Sequence, residues 1–271
     1  MIPKSGRGDN APQLKASMEN ILKLDNYDIF TEHPWIVELK SKYIKESRIA
    51  AQGVARLMDD LECMNQDHNK KNGRVLFTSI EGRVKQERSF FRKLFVQVCE
   101  QVKTEGLSPK TLETFYADIK DLAGVRFSCP YYDEIEHAIN GIVRPFLSIR
   151  GYATNLKEDH YKDKNHLDNG DGHGYRSYHF FVKVPALVDI FGGTEMFLCE
   201  VQARSELQHV WAVKSHNLLY KPEEGWVIPD GLLEDMRQVS NSLRSADHFL
   251  AQIKNNVRGK SNVTREPFSP H

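Results

Sequence analysis

Cysteine is scarce in this sequence. Four residues (Cys63, Cys99, Cys129, Cys199) are spread over 271 positions with no CxxC pair. That spacing offers neither a disulfide framework nor a zinc site, and isolated thiols in apolar contexts point to a reducing cytosol. An excess of charge is missing as well: 37 Lys+Arg stand against 37 Asp+Glu. No global field therefore draws the chain to nucleic acid or to a membrane surface, and any anion site must arise from local clustering. No stretch approaches the ~18 apolar residues of a membrane span, and the first thirty residues hold no apolar signal core. The expectation is a cytoplasmic protein without a membrane partner. The sequence also lacks internal repeats, low-complexity blocks and the GxxxxGK[ST] loop of Walker-type nucleotide sites. What remains is an ordinary globular composition, 40% hydrophobic and 27% charged, long enough for a sizeable core.

Met196–Tyr220, MFLCEVQARSELQHVWAVKSHNLLY, is the most informative stretch. Phe197, Cys199, Val201 and Ala203 alternate with Leu198, Glu200, Gln202 and Arg204, the two-residue period of a strand with one apolar face. The other face lines up a carboxylate, an amide and a guanidinium. The period then changes, and Leu207, Val210, Trp211 and Leu218 predict a helix whose stripe returns to the sheet. Ser205 followed by Gln208 has the form of a capping box. His209 and His216, seven apart, fall on nearly one face of that helix. Spacing alone fits a polar site and a solvated strand face equally well.

Gly82 opens a second unusual stretch, GRVKQERSFFRKL, with Arg83, Lys85, Arg88, Arg92 and Lys93 against the single acid Glu87. Phe90, Leu94, Val96 and Val98 form a helical apolar face, which places the basic residues on the opening loop and first turns. Free N–H groups and the positive dipole end at a helix N-terminus, with Arg, Lys and Ser89, make a polyphosphate cradle. A charge run by itself also reads as a solvated amphipathic helix.

Elsewhere, Pro34–Met64 predicts one long or two abutting helices, Asp67–Gly73 a loop, and Arg74–Ser79 a short strand. Gly106 is expected to end the helix after the basic stretch, and Ser108-Pro109 to start one through Tyr116. Asp118–Cys129 reads as a turn into a strand that has Val125, Phe127 and Cys129 on one side and Asp121 just ahead. Tyr131–Phe146 reads as helix, Ser148–Leu156 as strand and His160–Gly174 as a very polar loop without a metal-ligand spacing. Tyr175–Val184 reads as a strand with Tyr175, Ser177 and His179 on one face, joined through a Gly192-Gly193 turn to the strand of Glu200. Asp230 should cap a last helix with a long apolar face, and whether that face packs on this chain or on another is left open by the spacing. Met1–Ala11 and the residues after Gly259 read as disordered ends.

Five blocks in order resemble the synthetase domain of the RelA/SpoT family. They are G-R-V-K-x-x-x-S-x-x-x-K (Gly82–Lys93), D-L-A-G-V-R-F (Asp121–Phe127), G-Y-R-S-Y-H (Gly174–His179), E-V-Q-A-R (Glu200–Arg204) and W-A-x-x-x-H-x-x-x-Y-K (Trp211–Lys221). The resemblance implies an α/β (α+β), nucleotidyltransferase-like mixed sheet flanked by helices, with N-terminal and C-terminal helical extensions. It divides the chain into an N-terminal extension (1–69), a pyrophosphokinase domain (70–222), a C-terminal helix (223–258) and a tail (259–271). The His-Asp dipeptide of the long members' hydrolase domain does not occur among the eleven histidines. What it implies chemically is transfer of the β,γ-pyrophosphate of ATP to the 3′-hydroxyl of GDP or GTP, giving (p)ppGpp and AMP. Arg83, Lys85, Ser89 and Lys93 would hold the ATP phosphates. Asp121 and Glu200 would bind Mg²⁺, with Glu200 also able to act as base. Tyr175 would stack on the acceptor base, and Ser177, His179, Gln202, Arg204 and His216 would orient the acceptor. A homo-oligomer is compatible with the family. The sequence departs from the family in the long hydrophilic segment 157–174 and in Ser215, where many members carry an acid. Both fall near the expected acceptor, so a toxin-type relative acting on adenosine nucleotides or the tRNA 3′ CCA end is the alternative reading.

Overall fold

The computed structural model describes residues 11–23, 25–102, 108–156, 162–168, 170, 172–187, 194–220 and 229–263. The elements run α1 (Ala11–Lys23), α2 (Tyr27–Glu32), α3 (Pro34–Asn72), β1 (Ser79–Val84), α4 (Glu87–Val102), α5 (Pro109–Asp118) and β2 (Ala123–Cys129). A 3₁₀ turn leads into α6 (Ile135–His137), a π-helical stretch (Ala138–Val143) and α7 (Arg144–Ile149). Then come β3 (Lys164–Asn165), β4 (Tyr178–Leu187), β5 (Thr194–Ser205), α8 (Glu206–Ser215), a π-helical turn (His216–Tyr220) and α9 (Leu232–Val263). The five strands form one mixed sheet in the order β1-β2-β5-β4-β3. β3 lies antiparallel to β4 with Lys164 opposite His179. This is the α/β architecture expected from the sequence. No helix among the described residues is long and apolar enough to cross a membrane, and none of the four cysteines is in a disulfide.

Two compact units share the chain. One comprises Met1–Val54, Arg83–Gly124 and Pro185–Cys199; the other comprises Ala55–Gly82, Val125–Val184 and Glu200–His271. In the first, aromatic rings make much of the core. Phe90 packs on Tyr116 and Tyr43 at centroid distances of 4.9 and 5.2 Å, and Phe30 on Phe95 at 4.9 Å. Ser108 caps α5 by accepting the Thr111 N–H, with Pro109 in the first turn, where a missing N–H costs nothing. In the second, Val125, Phe127, Cys129, Val201 and Ala203 are almost wholly buried, the apolar faces that period-two spacing assigned to β2 and β5.

Several local expectations fail for identifiable reasons. Arg74–Ser79 is not the strand; β1 begins at Ser79 and runs to Val84. Leu76 and Phe77 are buried but donate their N–H groups to the Asn65 side chain, which in turn donates to the Phe77 carbonyl. An amide on α3 thus takes the place of a neighbouring strand. Asp67–Gly73 is no loop either, because α3 continues to Asn72, and Lys70 and Lys71 suit its carbonyl end. Ser148–Leu156 yields only the single bridge Ala153↔Lys183. There α7 closes through N–H bonds from Arg150 and Tyr152 to Leu147, around Gly151 at φ +85°. β4 starts at Tyr178, after Tyr175, and the polar loop before it holds β3. Gly231, at φ +85°, separates Asp230 from α9, and that helix runs past Gly259 to Val263. On α8 the buried residues are Gln208, Trp211 and Ser215, while Val210 is exposed. Of the capping box only the Ser205 half forms, since the Gln208 side chain turns to Asp247. Gly106, Gly192-Gly193, His160, Lys221, residues 1–10 and the tail from 264 lie outside the described residues.

Candidate active site

The basic stretch, wholly within the first unit from Arg83 onward, is divided between elements. Arg83 is exposed near the end of β1, Lys85 follows the strand, and Ser89 and Lys93 lie on α4. Lys85 lies in the loop that opens α4, as expected, whereas Arg83 lies on β1 and not in that loop. Lys85 is held at three points: its N–H donates to the Leu122 carbonyl (2.7 Å), its carbonyl accepts from the Tyr43 hydroxyl (2.5 Å), and its Nζ donates to Asp121 Oδ2 (2.8 Å). Lys93 Nζ donates to the other oxygen, Oδ1, at 3.0 Å. Burial pushes the Asp121 pKa up, but the hydrogen bond from Lys85 and the charges of Lys93 and Lys85 outweigh it and hold the carboxyl below its ordinary value. The result is an ionised carboxylate clamped by two ammonium groups beside the N-terminus of a sixteen-residue helix. Such an array suits a polyphosphate and a hard cation.

In the second unit the polar face of β5 forms a connected network with the segment entering β4. Gln202 is its centre. Its Nε2 donates to Glu200 Oε2 (2.9 Å), and its Oε1 accepts from Arg204 (3.0 Å) and from Nη2 and Nε of Arg126 (3.2 and 3.3 Å). Cations on one side and a carboxylate on the other dictate which way this amide faces. The Tyr175 hydroxyl accepts from Arg204 (3.1 Å) and lies 3.0 Å from His179 Nε2, while His179 Nδ1 lies 3.1 Å from Glu200 Oε1. Assigned from these partners, the tautomer protonated on Nδ1 donates to Glu200 and accepts from Tyr175. Arg204 is fully buried, and its guanidinium sits 5.3 Å from the Tyr175 ring centroid.

The structure therefore joins Tyr175, His179, Glu200, Gln202 and Arg204 in one group, and Lys85, Lys93 and Asp121 in another. It does not add Ser177, which is buried and donates to the Ala203 carbonyl at 3.0 Å. His216 is exposed in the π-helical turn, and among the described residues it makes no hydrogen bond to the network. Two participants were missed: Arg126 bonds Gln202 as described, and Glu81 on β1 lies 3.6 Å from Arg126. His209 on α8, which helical spacing set beside His216 without a role, lies 3.5 Å from Glu81. Burial lowers the His209 pKa, and Arg204 and Arg126 add to this against Glu81, so the ring is neutral at pH 7. Period two along β2, which sends Val125 and Phe127 inward, already placed Arg126 on the polar face. Glu81 was hidden by the misplaced strand.

Among the described residues no three His, Cys, Asp or Glu side chains converge as a metal cluster. Mg²⁺ does not require one, because it commonly takes one or two carboxylates and completes its shell with water and phosphate oxygens. Asp121, ionised and supplied with hard oxygens, fits that role, as does Glu200.

The family model for the region found in RelA/SpoT proteins matches residues 82–225. A relative, GTP pyrophosphokinase YwaC of Bacillus subtilis (strain 168), is 24% identical over 194 residues, which is 72% of this chain and 81% of the relative. The crystal structure of small alarmone synthetase 1 from Bacillus subtilis bound to its product pppGpp aligns with a TM-score of 0.59 at 20% identity, over 77% of this chain and 94% of that one. A GTP pyrophosphokinase family protein from Streptococcus pneumoniae also aligns at 0.59, with 22% identity, over 82% of this chain and 96% of that one. Both structural likenesses concern the fold. The family match covers more than half of the chain and takes in both polar groups, and with it the chain belongs to the RelA/SpoT family.

Proposed function

We propose that this chain is an ATP-dependent pyrophosphokinase that transfers the β,γ-pyrophosphate of ATP to the 3′-hydroxyl of GDP or GTP, giving (p)ppGpp and AMP. The observation that carries the reading is the Glu200 carboxylate, oriented on one side by Gln202 and on the other by the His179–Tyr175–Arg204 chain. The names of the similar proteins, an alarmone synthetase and two GTP pyrophosphokinases, agree with it. Residues 70–222 are the catalytic part in this reading.

In this reading Lys85, Lys93, Arg83 and Ser89 bind the donor phosphates, and the N–H groups opening α4 add to them. Asp121 and Glu200 would hold Mg²⁺, which when bound supplies neutralisation of the phosphate charge. Tyr175 lays its ring against the acceptor base, on the face opposite Arg204. Glu200 takes the proton of the 3′-hydroxyl as that oxygen bonds to Pβ. The bond from Pβ to the bridging oxygen breaks, and the oxygen leaves with AMP. His179, donating to Glu200, and Gln202 hold the carboxylate in place. Little covalent chemistry is asked of the protein, so positioning and charge neutralisation supply the rate.

Glu200→Gln tests the assignment. The amide matches the carboxylate in shape but cannot take the proton, so turnover should fall ~10²-fold or more with the fold retained by circular dichroism. An active Glu200→Gln enzyme would remove Glu200 from this role.

A further inference from the structure

Helix α9 lies beyond the 82–225 region that the family model matches. Its buried face carries Ser240, Asp247 and Lys254 alongside Met236 and Ala251. The N-terminal part of that face meets Gly174–Ser177, a segment that stands ahead of β4 and outside any strand. Three consecutive residues of the segment are held there. Ser240 donates its hydroxyl hydrogen to the Gly174 carbonyl. Asn241 Oδ1 accepts from Arg176 Nη2 at 3.0 Å, while Nη1 of the same buried guanidinium donates to the carbonyls of Leu167 (3.2 Å) and Asp168. Between the two, the centre of the Tyr175 ring lies 6.4 Å from that of Trp211. Trp211 is itself pinned to α9, its Nε1 donating to the Met236 carbonyl at 2.6 Å. Met236, Ser240 and Asn241 fall at i, i+4 and i+5, on one face of the helix.

Gly174 shows how closely segment and helix approach. Its φ of +99° is one that suits glycine. A β-carbon there would come within 3.0 Å of Ser240 Cβ, 3.1 Å of Trp211 Cζ2 and 3.3 Å of Arg237 Cα. The last is helix backbone and cannot step aside. The glycine of the G-Y-R-S-Y-H block is thus the point where α9 touches the acceptor side of the site.

We infer, building on the pyrophosphokinase reading of Tyr175, that Ser240 and Asn241 are positioning residues for the acceptor. They fix the residues on either side of Tyr175, so that a helix outside the family-matched region sets the ring against which the acceptor base lies. Tyr175 must reach Arg204 at 3.1 Å and His179 Nε2 at 3.0 Å to complete the network. A ring whose backbone can shift has to be ordered when the acceptor binds, and that ordering is subtracted from acceptor affinity. Both α9 side chains direct their bonds to this segment, so their loss should fall on the acceptor and leave ATP use alone.

Steady-state kinetics with acceptor and ATP varied in turn, together with hydrogen exchange over the 174–177 segment and over α9, test this on the full chain. The variants are Ser240→Ala, Asn241→Ala and Asn241→Asp. Each alanine removes one hydrogen bond, and each should raise the acceptor KM at least ~5-fold while the ATP KM stays within ~2-fold. Exchange at 174–177 should quicken at least ~5-fold, with α9 itself exchanging as in the wild type. Loss of stability alone would lower the amount of active enzyme, and so the apparent kcat, without separating the two KM values. Asn241→Asp keeps an oxygen for Arg176 and should bring both readings back to within ~2-fold of wild type. A wild type that transfers nothing to GDP or GTP would overturn the function proposed above and leave exchange at 174–177 to decide the positioning role. Unchanged exchange there in both alanine variants overturns that role. So does an acceptor KM that stays within ~2-fold or rises no more than the ATP KM, and so does an Asn241→Asp enzyme as impaired as Asn241→Ala.

Discussion

Removing one oxygen from Tyr175 tests how the acceptor-side network works. Sequence reasoning treats Tyr175→Phe as mild, because the ring that stacks on a base is kept. The structure gives the hydroxyl further work. It accepts from Arg204 at 3.1 Å and lies 3.0 Å from His179 Nε2 and 3.3 Å from Gln202 Oε1. Its loss leaves Arg204, fully buried, with one fewer oxygen, and leaves His179 Nε2 without the donor that fixes its tautomer against Glu200. A hydrogen bond involving a charged group contributes ~1.5–3 kcal/mol, or roughly 10- to 150-fold at ~1.4 kcal/mol per decade. The loss should fall on kcat, since the ring still stacks and the acceptor KM should stay within about 2-fold. Tyr175→Ala should add a rise of roughly tenfold or more in acceptor KM, from stacking worth ~1–3 kcal/mol, and leave the ATP KM nearly unchanged. The assay is steady-state kinetics with each nucleotide varied in turn, accompanied by urea unfolding. A Tyr175→Phe enzyme with wild-type kcat and wild-type stability would refute the network argument. A change confined to the ATP KM would mean that the ring meets the donor adenine.

Other expectations follow from single contacts. Lys85→Ala removes an ammonium group held at 2.8 Å from Asp121 and should raise the ATP KM well above any change in acceptor KM; equal effects would assign the cradle to the other nucleotide. Glu134 is pushed up by burial but held down, to about 2, by Arg258, Arg74 and Lys254. A depressed carboxyl contributes stability that is complete above its ordinary value near 4.5 and is lost as pH falls through about 2. Urea unfolding of Glu134→Gln and wild type should therefore differ most above pH ~5 and converge toward pH 2; a constant difference across that range would contradict the assignment.

How far the sequence could be read depended on whether a segment's backbone is satisfied by a regular element. β5 and α8 were legible because period two, then the Ser205 cap, then helical spacing all agree. The polar row Glu200, Gln202, Arg204 followed directly, but not that Arg204 would be wholly buried. Leu76 and Phe77 look like strand because they are apolar and central; only a side chain eleven residues earlier, Asn65, reveals that they pair with a helix. That one error displaced β1 and removed Glu81 from view. Gly151 carries the opposite lesson: a left-handed turn ends α7 and prevents the strand that Ser148–Leu156 suggests. The polar anchoring of α9 was beyond any reading of spacing, since its anchors Asp133, Gly174 and Ser205 are distant in sequence.

The central claim is most directly tested by offering γ-³²P-ATP with Mg²⁺ to GDP, GTP, ATP and bulk tRNA in one mixture and resolving the labelled products. The account predicts label on guanosine nucleotides as 3′-pyrophosphate, with one AMP released per transfer and no transfer once the divalent ion is chelated. Label on tRNA or on an adenosine acceptor would contradict it, and so would release of labelled phosphate without any labelled acceptor.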